Sequence, residues 1–295
     1  MKQFKKNIKF FAQKIHSNYI DLRDFYIYSR NKSKKINYSV ISKKNNTALI
    51  FGNGPSLNDI LYQTVKAENA DIFVCNGFAT TSNYEILKPE NYVLLDPSYF
   101  DFNNKYVKER VNNVIETWDA IISKTTWKIN LYTSVMDDAS IKFIKGKITK
   151  NITWVNVLPL TFKGSQRYKY IVNGLGLIGG QTVTHFSLQI ALLKNYKEVF
   201  LCGVDLDWFE NLNYDYSNNK VFLLNKHFYD ETKLYFGEIG LYKDINLADE
   251  FYAYYKTLKD FKELYELSKF LNVKLFRGTK SFIHFIPFKL YNSKK

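Results

Sequence analysis

Cysteine is scarce in this chain of 295 residues: there are two, Cys75 and Cys202, each inside an apolar, strand-like run. That excludes a disulfide framework and reads as buried free thiols in a reducing compartment. Two cysteines and four scattered histidines build no recognisable zinc pattern. No apolar run reaches roughly 18 residues and no signal-peptide pattern with a small-residue cleavage site is present, so neither a membrane span nor export by that route is expected. The Rossmann pattern GxGxxG and the Walker pattern GxxxxGK followed by Ser or Thr are also missing. Acidic residues are rare at the amino end: residues 1–46 hold twelve Lys and Arg against only Asp21 and Asp24, which places +10 of the total +14 there.

What is present suits a folded α/β protein. Hydrophobic residues make up 46% of the chain, ample for a large core. Phe4, Ile8, Phe11 and Ile15 recur at helical spacing, with lysines on the other side, so residues 1–28 read as a basic amphipathic helix. Such a helix is suited to an anionic membrane surface. The alternative is a helix packed on the main domain with a solvated basic face. No nucleic-acid recognition motif accompanies the basic arm. Residues 29–46 read as a polar linker, which divides the chain into a membrane-associating segment (1–46) and a main domain (47–295).

The main domain is organised around Ala48 to Leu57, an apolar run that stops at Gly52-Asn53-Gly54-Pro55-Ser56. A strand, a glycine turn and a helix start (here Leu57 to Ala67) form the unit from which a doubly wound sheet builds a nucleotide site. The alternative is a tight turn with Ser56 as helix cap. Two more apolar runs, Ile72–Cys75 and Tyr92–Leu95, also end in polar residues, Asn76 and Asp96. In a parallel sheet such ends share one edge, where ligands bind.

Further elements alternate along the chain: a helix over 103–124, strands Trp127–Ser134 and Ile152–Leu158, and a loop from Gly164 to Tyr170 in which Lys163 and Arg167 meet phosphates or solvent. Gly179-Gly180-Gln181 precedes a helix Thr182–Leu193, an anion-friendly arrangement, and Thr184, His185 and Gln189 lie on it as polar residues facing solvent or a site. A strongly apolar strand then ends in Gly203-Val204-Asp205. Residues 206–247 are polar and aromatic with weak periodicity and read as a lid. His227 lies there beside Tyr229 and Asp230, suited to general-base work. A helix Asp249–Leu271, a strand Val273–Phe276 and an apolar tail with His284 in the core close the chain.

Taken together, Gly52-Asn53-Gly54-Pro55-Ser56-Leu57, Cys75-Asn76-Gly77-Phe78, Asp96-Pro97-Ser98 and Asn195 to Asp205 resemble the bacterial family-42 sialyltransferases. Related motifs occur in the flagellin nonulosonate transferases and the archaeal pterin pyrophosphokinase-like proteins. The resemblance covers roughly 47–276. It implies a Rossmann-like, doubly wound, mostly parallel sheet of the GT-A-type sialyltransferase variant, with a lid at about 206–247. It implies transfer of a sialic or related nonulosonic acid from a CMP-sugar to a lipooligosaccharide or capsule acceptor; the basic helix over 1–28 adds the expectation of a place at the cytoplasmic face of the inner membrane. By the same resemblance Gly52, Asn53, Gly54, Pro55, Ser56 and Asn76 hold the CMP, Asp96 and Ser98 contact nucleotide and sugar, and Gly179, Gly180, Gln181 and Thr182 form the adjoining segment. Asp96 stands where the family has Asn, and Gly179 to Thr182 is nearer the Gly-Gly-Thr version of the wider group. His227 with Tyr229 stands for the family's base, Asp205 for its Gly-Ile-Asp carboxylate, and Tyr214, Tyr216 or Tyr229 is placed to meet the departing phosphate. No cofactor or metal is expected, although Asp205-Leu206-Asp207 matches DxD literally. A transferase with another nucleotide sugar, a pterin or nucleotide pyrophosphokinase, and a non-enzymatic nucleotide-binding module remain as alternatives. The partners expected are a nucleotide sugar, a glycan acceptor, an anionic membrane and a homo-oligomeric copy, with no nucleic acid.

Overall fold

The computed structural model describes residues 2–60, 69–100, 111–134, 150–158, 160–228, 231–236 and 246–291, with side chains for all of these except 2–12 and 111–113. Seven strands form one sheet: β1 (Thr47–Phe51), β2 (Ala70–Cys75), β3 (Asn91–Leu94), β4 (Ile129–Ser134), β5 (Ile152–Val157), β6 (Glu198–Cys202) and β10 (Lys274–Arg277). Their spatial order is β10-β6-β1-β2-β3-β4-β5, and every neighbouring pair is parallel. Chain order therefore runs outward from β1 to β5 on one side and resumes with β6 on the other. The switch point lies between β1 and β6, and it is at such a point that an open α/β sheet leaves a crevice beyond its carboxyl ends.

The sheet is covered on both faces. Within β1, Ala48 and Ile50 enter one core while Leu49 and Phe51 enter the other; β2 divides its Phe73 and Cys75 from Ile72 and Val74 in the same way. That double burial is why these strands read as unbroken apolar runs rather than alternating ones. The first core packs under α5 (Val183–Leu193) and α6 (Leu247–Phe270), the second under α3 (Val111–Lys124). Two short helices, α2 (Asn83–Leu87) and α4 (Arg167–Val172), complete the main set. α5 is buried on nearly all sides, so its polar residues turn inward instead of to solvent. Gln189 accepts from the Ile178 N–H at 2.7 Å and donates to the Gly176 carbonyl at 3.1 Å. His185 is 1% exposed, and burial lowers its pKa to about 3, which keeps it neutral.

A polar cluster ties the amino end of the sheet. Asp71, fully buried on β2, accepts from the Lys44 N–H at 2.9 Å, the Asn45 N–H at 3.1 Å and the Tyr196 hydroxyl at 2.7 Å. Lys194, also buried, donates to the Ser42 carbonyl, to Asn91 and to Tyr132. Burial pushes its pKa down to about 8.

Residues Lys2–Asn31 form one long helix, α1. Its carboxyl half is docked on the body. Asp24, 1% exposed, accepts from the N–H groups of Lys163 and Gly164, and Asp21 accepts from that of Ser165. Tyr28 stacks on Tyr170 with ring centroids 4.5 Å apart. The 163–166 turn and the start of α4 are thus a seat for α1; the expected loop from Gly164 to Tyr170 is helical from Arg167 on, and Arg167 pairs with Glu263 of α6 rather than standing free.

The 206–247 segment holds regular structure that its weak periodicity concealed. β7 (Leu212–Asp215), β8 (Lys220–Lys226) and β9 (Glu231–Tyr235) form a three-stranded antiparallel sheet. The observed burial is intermediate or exposed along most of it, so neither a clean alternation nor a buried run marks these strands. His284, expected in the core, is exposed; Ile283 and Ile286 on either side take the buried places. The helix read at Leu57 to Ala67 begins at Asn58, and its body lies outside the described residues.

Candidate active site

The turn after β1 is shaped first by its neighbour strand. β1 and β6 run in register to Phe51 opposite Cys202, so Gly52 meets Gly203 at the point where both strands end. The Gly52 N–H donates to the Cys202 carbonyl and the Gly54 N–H to the Gly203 carbonyl, each at 2.8 Å. A Cβ on Gly52 would stand 2.3 Å from the Gly203 carbonyl oxygen. The glycine requirement at Gly52 therefore comes from backbone meeting backbone, not from the approach of a ligand. Gly203 is also in the left-handed region, with φ +66°.

Asp205 locks this junction. It accepts from the Ser56 N–H at 2.9 Å and, over a shorter contact, from the Ser56 hydroxyl. Thr279 extends the link: its hydroxyl contacts Ser56 Oγ and accepts from the Gly203 N–H, both at 2.9 Å. Burial raises the Asp205 pKa, while the two Ser56 bonds lower it. Asp205 thus acts first as a clamp between the two central strands. The sequence located the residue; the bond to Ser56 is one that no local spacing reveals.

Two adjoining cavities open beyond these carboxyl ends. The first, about 230 Å³, is lined by Asn53, Gly54, Asn76, Asp96, Gln181 to Thr184, Gly203 to Trp208, Lys226 and His227. The second, about 610 Å³, shares Asn53, Asn76, Asp96 and His227 with it and adds Ser98, Glu116, Asn225 and Thr232. Those four shared residues form the boundary between the cavities. Asn53 and Asn76 each carry a side-chain Oδ1 that is buried and without a hydrogen-bond partner. Buried acceptors are almost always paired, so two orphans on one cavity wall point to a donor-bearing ligand. Asn76 is held at φ +50°, and the buried Tyr92 hydroxyl donates to its carbonyl, which fixes its aim. Asp96 is partly engaged as the cap of the Pro97–Tyr99 turn, accepting from the Ser98 N–H at 2.9 Å and its hydroxyl at 2.7 Å.

His227 arrives from the far side on the end of the three-stranded sheet. The Phe228 N–H donates to the Asn53 carbonyl at 2.9 Å, and the Phe228 ring packs on Phe78 at 5.5 Å between centroids. That anchor places the imidazole against both cavities, with Nε2 3.1 Å from the Asn225 amide nitrogen. Lys226 adds a cation to the first cavity, and Thr182 caps α5, whose first residues border the same cavity. Sequence reasoning passed over Lys226 and Asn225; their only signal is proximity to His227.

Other residues singled out stand elsewhere. Tyr214 and Tyr216 pack on each other at the β7–β8 turn, Tyr216 is 89% exposed, and neither lines the two cavities. Gly179 has open space where a Cβ would be, and the Cβ position of Gly180 is filled by the His185 ring, so Gly180 is a packing glycine. Pro55 and Ser56 face a neighbouring recess with Asp59, Asp207 and Lys280. Tyr229 lies outside the described residues. Among the described residues no group of three His, Cys, Asp or Glu is placed to hold a metal ion, and Asp205 of the DxD match is bound to Ser56.

A doubly wound parallel sheet with a polar crevice at its switch point and a histidine brought over it defines an α/β protein built to hold a ligand at the carboxyl ends of its strands. The chain belongs to the 6-hydroxymethylpterin diphosphokinase MptE-like family, whose model matches residues 25–211. No curated protein matches it. Among solved structures it is similar to the MAf glycosyltransferase from Magnetospirillum magneticum AMB-1, at 14% identity and a TM-score of 0.45 over 88% of this chain and 34% of that one. The chain thus spans about a third of that protein's length. It is also similar to the monofunctional alpha-2,3-sialyltransferase Cst-I from Campylobacter jejuni, at 17% identity and a TM-score of 0.42 over 86% of this chain and 83% of that one. The sialyltransferase CstII from Campylobacter jejuni, solved in complex with cytidine-5'-monophosphate, is similar at 15% identity and a TM-score of 0.42 over 86% and 88%.

Proposed function

We propose that this protein is a glycosyltransferase that uses a CMP-activated nonulosonic acid, with a glycan hydroxyl as acceptor. The observation that carries the reading is the pair of orphan acceptors on Asn53 and Asn76, set at the boundary of two cavities with His227 across from them. Two adjoining cavities suit two substrates, and a histidine at their boundary suits the proton that passes between them. In this reading the donor occupies the first cavity, its phosphate near Lys226 and the start of α5. His227 removes the proton from the acceptor hydroxyl as that oxygen bonds to the anomeric carbon. The bond from that carbon to the phosphate oxygen breaks, CMP leaves with the electron pair, and the anomeric centre inverts. Lys226 offsets the charge that develops on the departing phosphate.

A second reading follows from the family: transfer of a diphosphate from ATP to a pterin-like hydroxyl. That chemistry takes Mg²⁺, and among the described residues no group of three His, Cys, Asp or Glu forms a protein-only site for it. A thermal-shift panel of CMP, CDP, UDP, GDP and ATP, each with and without Mg²⁺, separates the two. Metal-independent stabilisation by CMP supports the first reading. Stabilisation by ATP with Mg²⁺ alone overturns it, and a shift with UDP or GDP alone keeps the transferase but changes its donor.

A further inference from the structure

α1 carries two faces with different fates. One face is spent on the body, through Asp21, Asp24 and Tyr28. The opposite face is an unbroken apolar stripe: Ile15, Tyr19, Leu22, Phe25 and Tyr26 are each between 55% and 68% exposed. Their spacing keeps them on one side of the helix over three turns, and the register of the sequence carries the stripe back through Phe11, Ile8 and Phe4. Single exposed apolar residues are ordinary on a soluble surface, but a continuous stripe is not.

Charge selects what covers it. Residues 1–46 contain no Glu, and their two Asp residues are both spent on the docked face. Arg23 pairs with Asp24 at 2.5 Å, and no other carboxylate stands on the helix beside Asp21, so its remaining Lys and Arg residues have no acidic partner along α1. A second copy laid against the stripe would bring like charges together, whereas an anionic headgroup layer supplies the missing counter-charge.

We infer that the exposed face of α1 lies on an anionic lipid surface, with Ile15, Tyr19, Leu22, Phe25 and Tyr26 in the interface and the body held on the opposite side. Within the helix read over 1–28, this adds Tyr19, Leu22, Phe25 and Tyr26 to the apolar positions that end at Ile15 in the sequence reading, and it does not depend on which reaction the crevice performs. No described helix is long and apolar enough to cross a membrane, so the contact is with the surface.

Flotation of the full chain with phosphatidylcholine vesicles, with and without roughly one part in three of phosphatidylserine, tests it. The expected result is flotation with the anionic vesicles only, reduced by salt. Leu22→Ser together with Phe25→Ser should lower the partition about tenfold or more, with an unchanged unfolding curve because both side chains are exposed. Lys14→Glu, which keeps the stripe and removes a cation, should weaken flotation severalfold. Equal flotation of the Leu22/Phe25 variant overturns the proposal, as does equal flotation with neutral vesicles. Failure of the wild type to float also overturns it, and if the Leu22/Phe25 variant then shows a lower mass by sedimentation, the stripe is an interface between copies.

Discussion

The two ends of the sheet handle buried polar groups differently, although Asn91 Nδ2 at the amino end is itself left without a partner. At the amino end, Asp71 and Lys194 are buried and bonded by main chain and side chain on several sides. At the carboxyl end, Asn53 and Asn76 present buried oxygens that nothing in the protein satisfies. The first arrangement fixes a packing; the second leaves interaction energy to be released when a partner arrives. Polar burial alone thus does not mark a site. What marks it is burial with the hydrogen bonds left incomplete beside a cavity.

The contrast can be broken from either end. His227→Ala should cut turnover by about 10²- to 10⁴-fold with nucleotide affinity nearly unchanged, read as kcat against Kd. A collapse of affinity instead makes His227 a binding residue. Asp71→Ala should cost roughly 3–5 kcal/mol by denaturant unfolding, because four donors lose their acceptor inside the protein. Asn76→Gly should do the reverse. It suits the φ of +50°, so stability should move by less than about 1 kcal/mol while nucleotide affinity falls about tenfold. If that variant loses stability and keeps affinity, the orphan acceptors are not ligand groups.

The smallest effect is one of pH. The Lys194 pKa is lowered in the folded state, from 10.5 to about 8. Between those values the unfolded chain holds a proton that the folded chain has released, so stability should rise with pH from about 8 towards 10. Lys194→Met should flatten that slope. An identical slope in the variant assigns the effect to other groups.

Much of the architecture was legible because it is local. β1, β2, β3 and β6 are apolar runs, and Gly, Asn or Asp follows each at or just past its carboxyl end. The order β10-β6-β1-β2 was not legible, since pairing across the sheet leaves no trace in spacing. The same limit explains the tyrosines: Tyr214 and Tyr216 sit near His227 in sequence, but the β7–β8 hairpin turns them away from the cavities. Arg167 is open to phosphate or solvent on spacing alone; its partner Glu263, 96 residues away, meets it instead. His185 and Gln189 read as facing solvent or a site because they are polar; the burial of α5 on nearly all sides turned both inward. Asn53, Asn76, Asp96 and His227 come together at the boundary of the two cavities because strand ends and a loop histidine are positions that a parallel sheet gathers at its carboxyl edge regardless of detailed packing.

The Asp205–Ser56 clamp also has a consequence in time. Its two residues are 149 positions apart, and β1 cannot gain its second neighbour until β6 has left the ribosome. During synthesis the most apolar strand of the sheet waits with one edge open, and an open apolar edge invites pairing with other chains. The crevice is therefore among the last features to assemble, and a chain released before residue 205 would expose a sticky strand while holding no more than half a binding site.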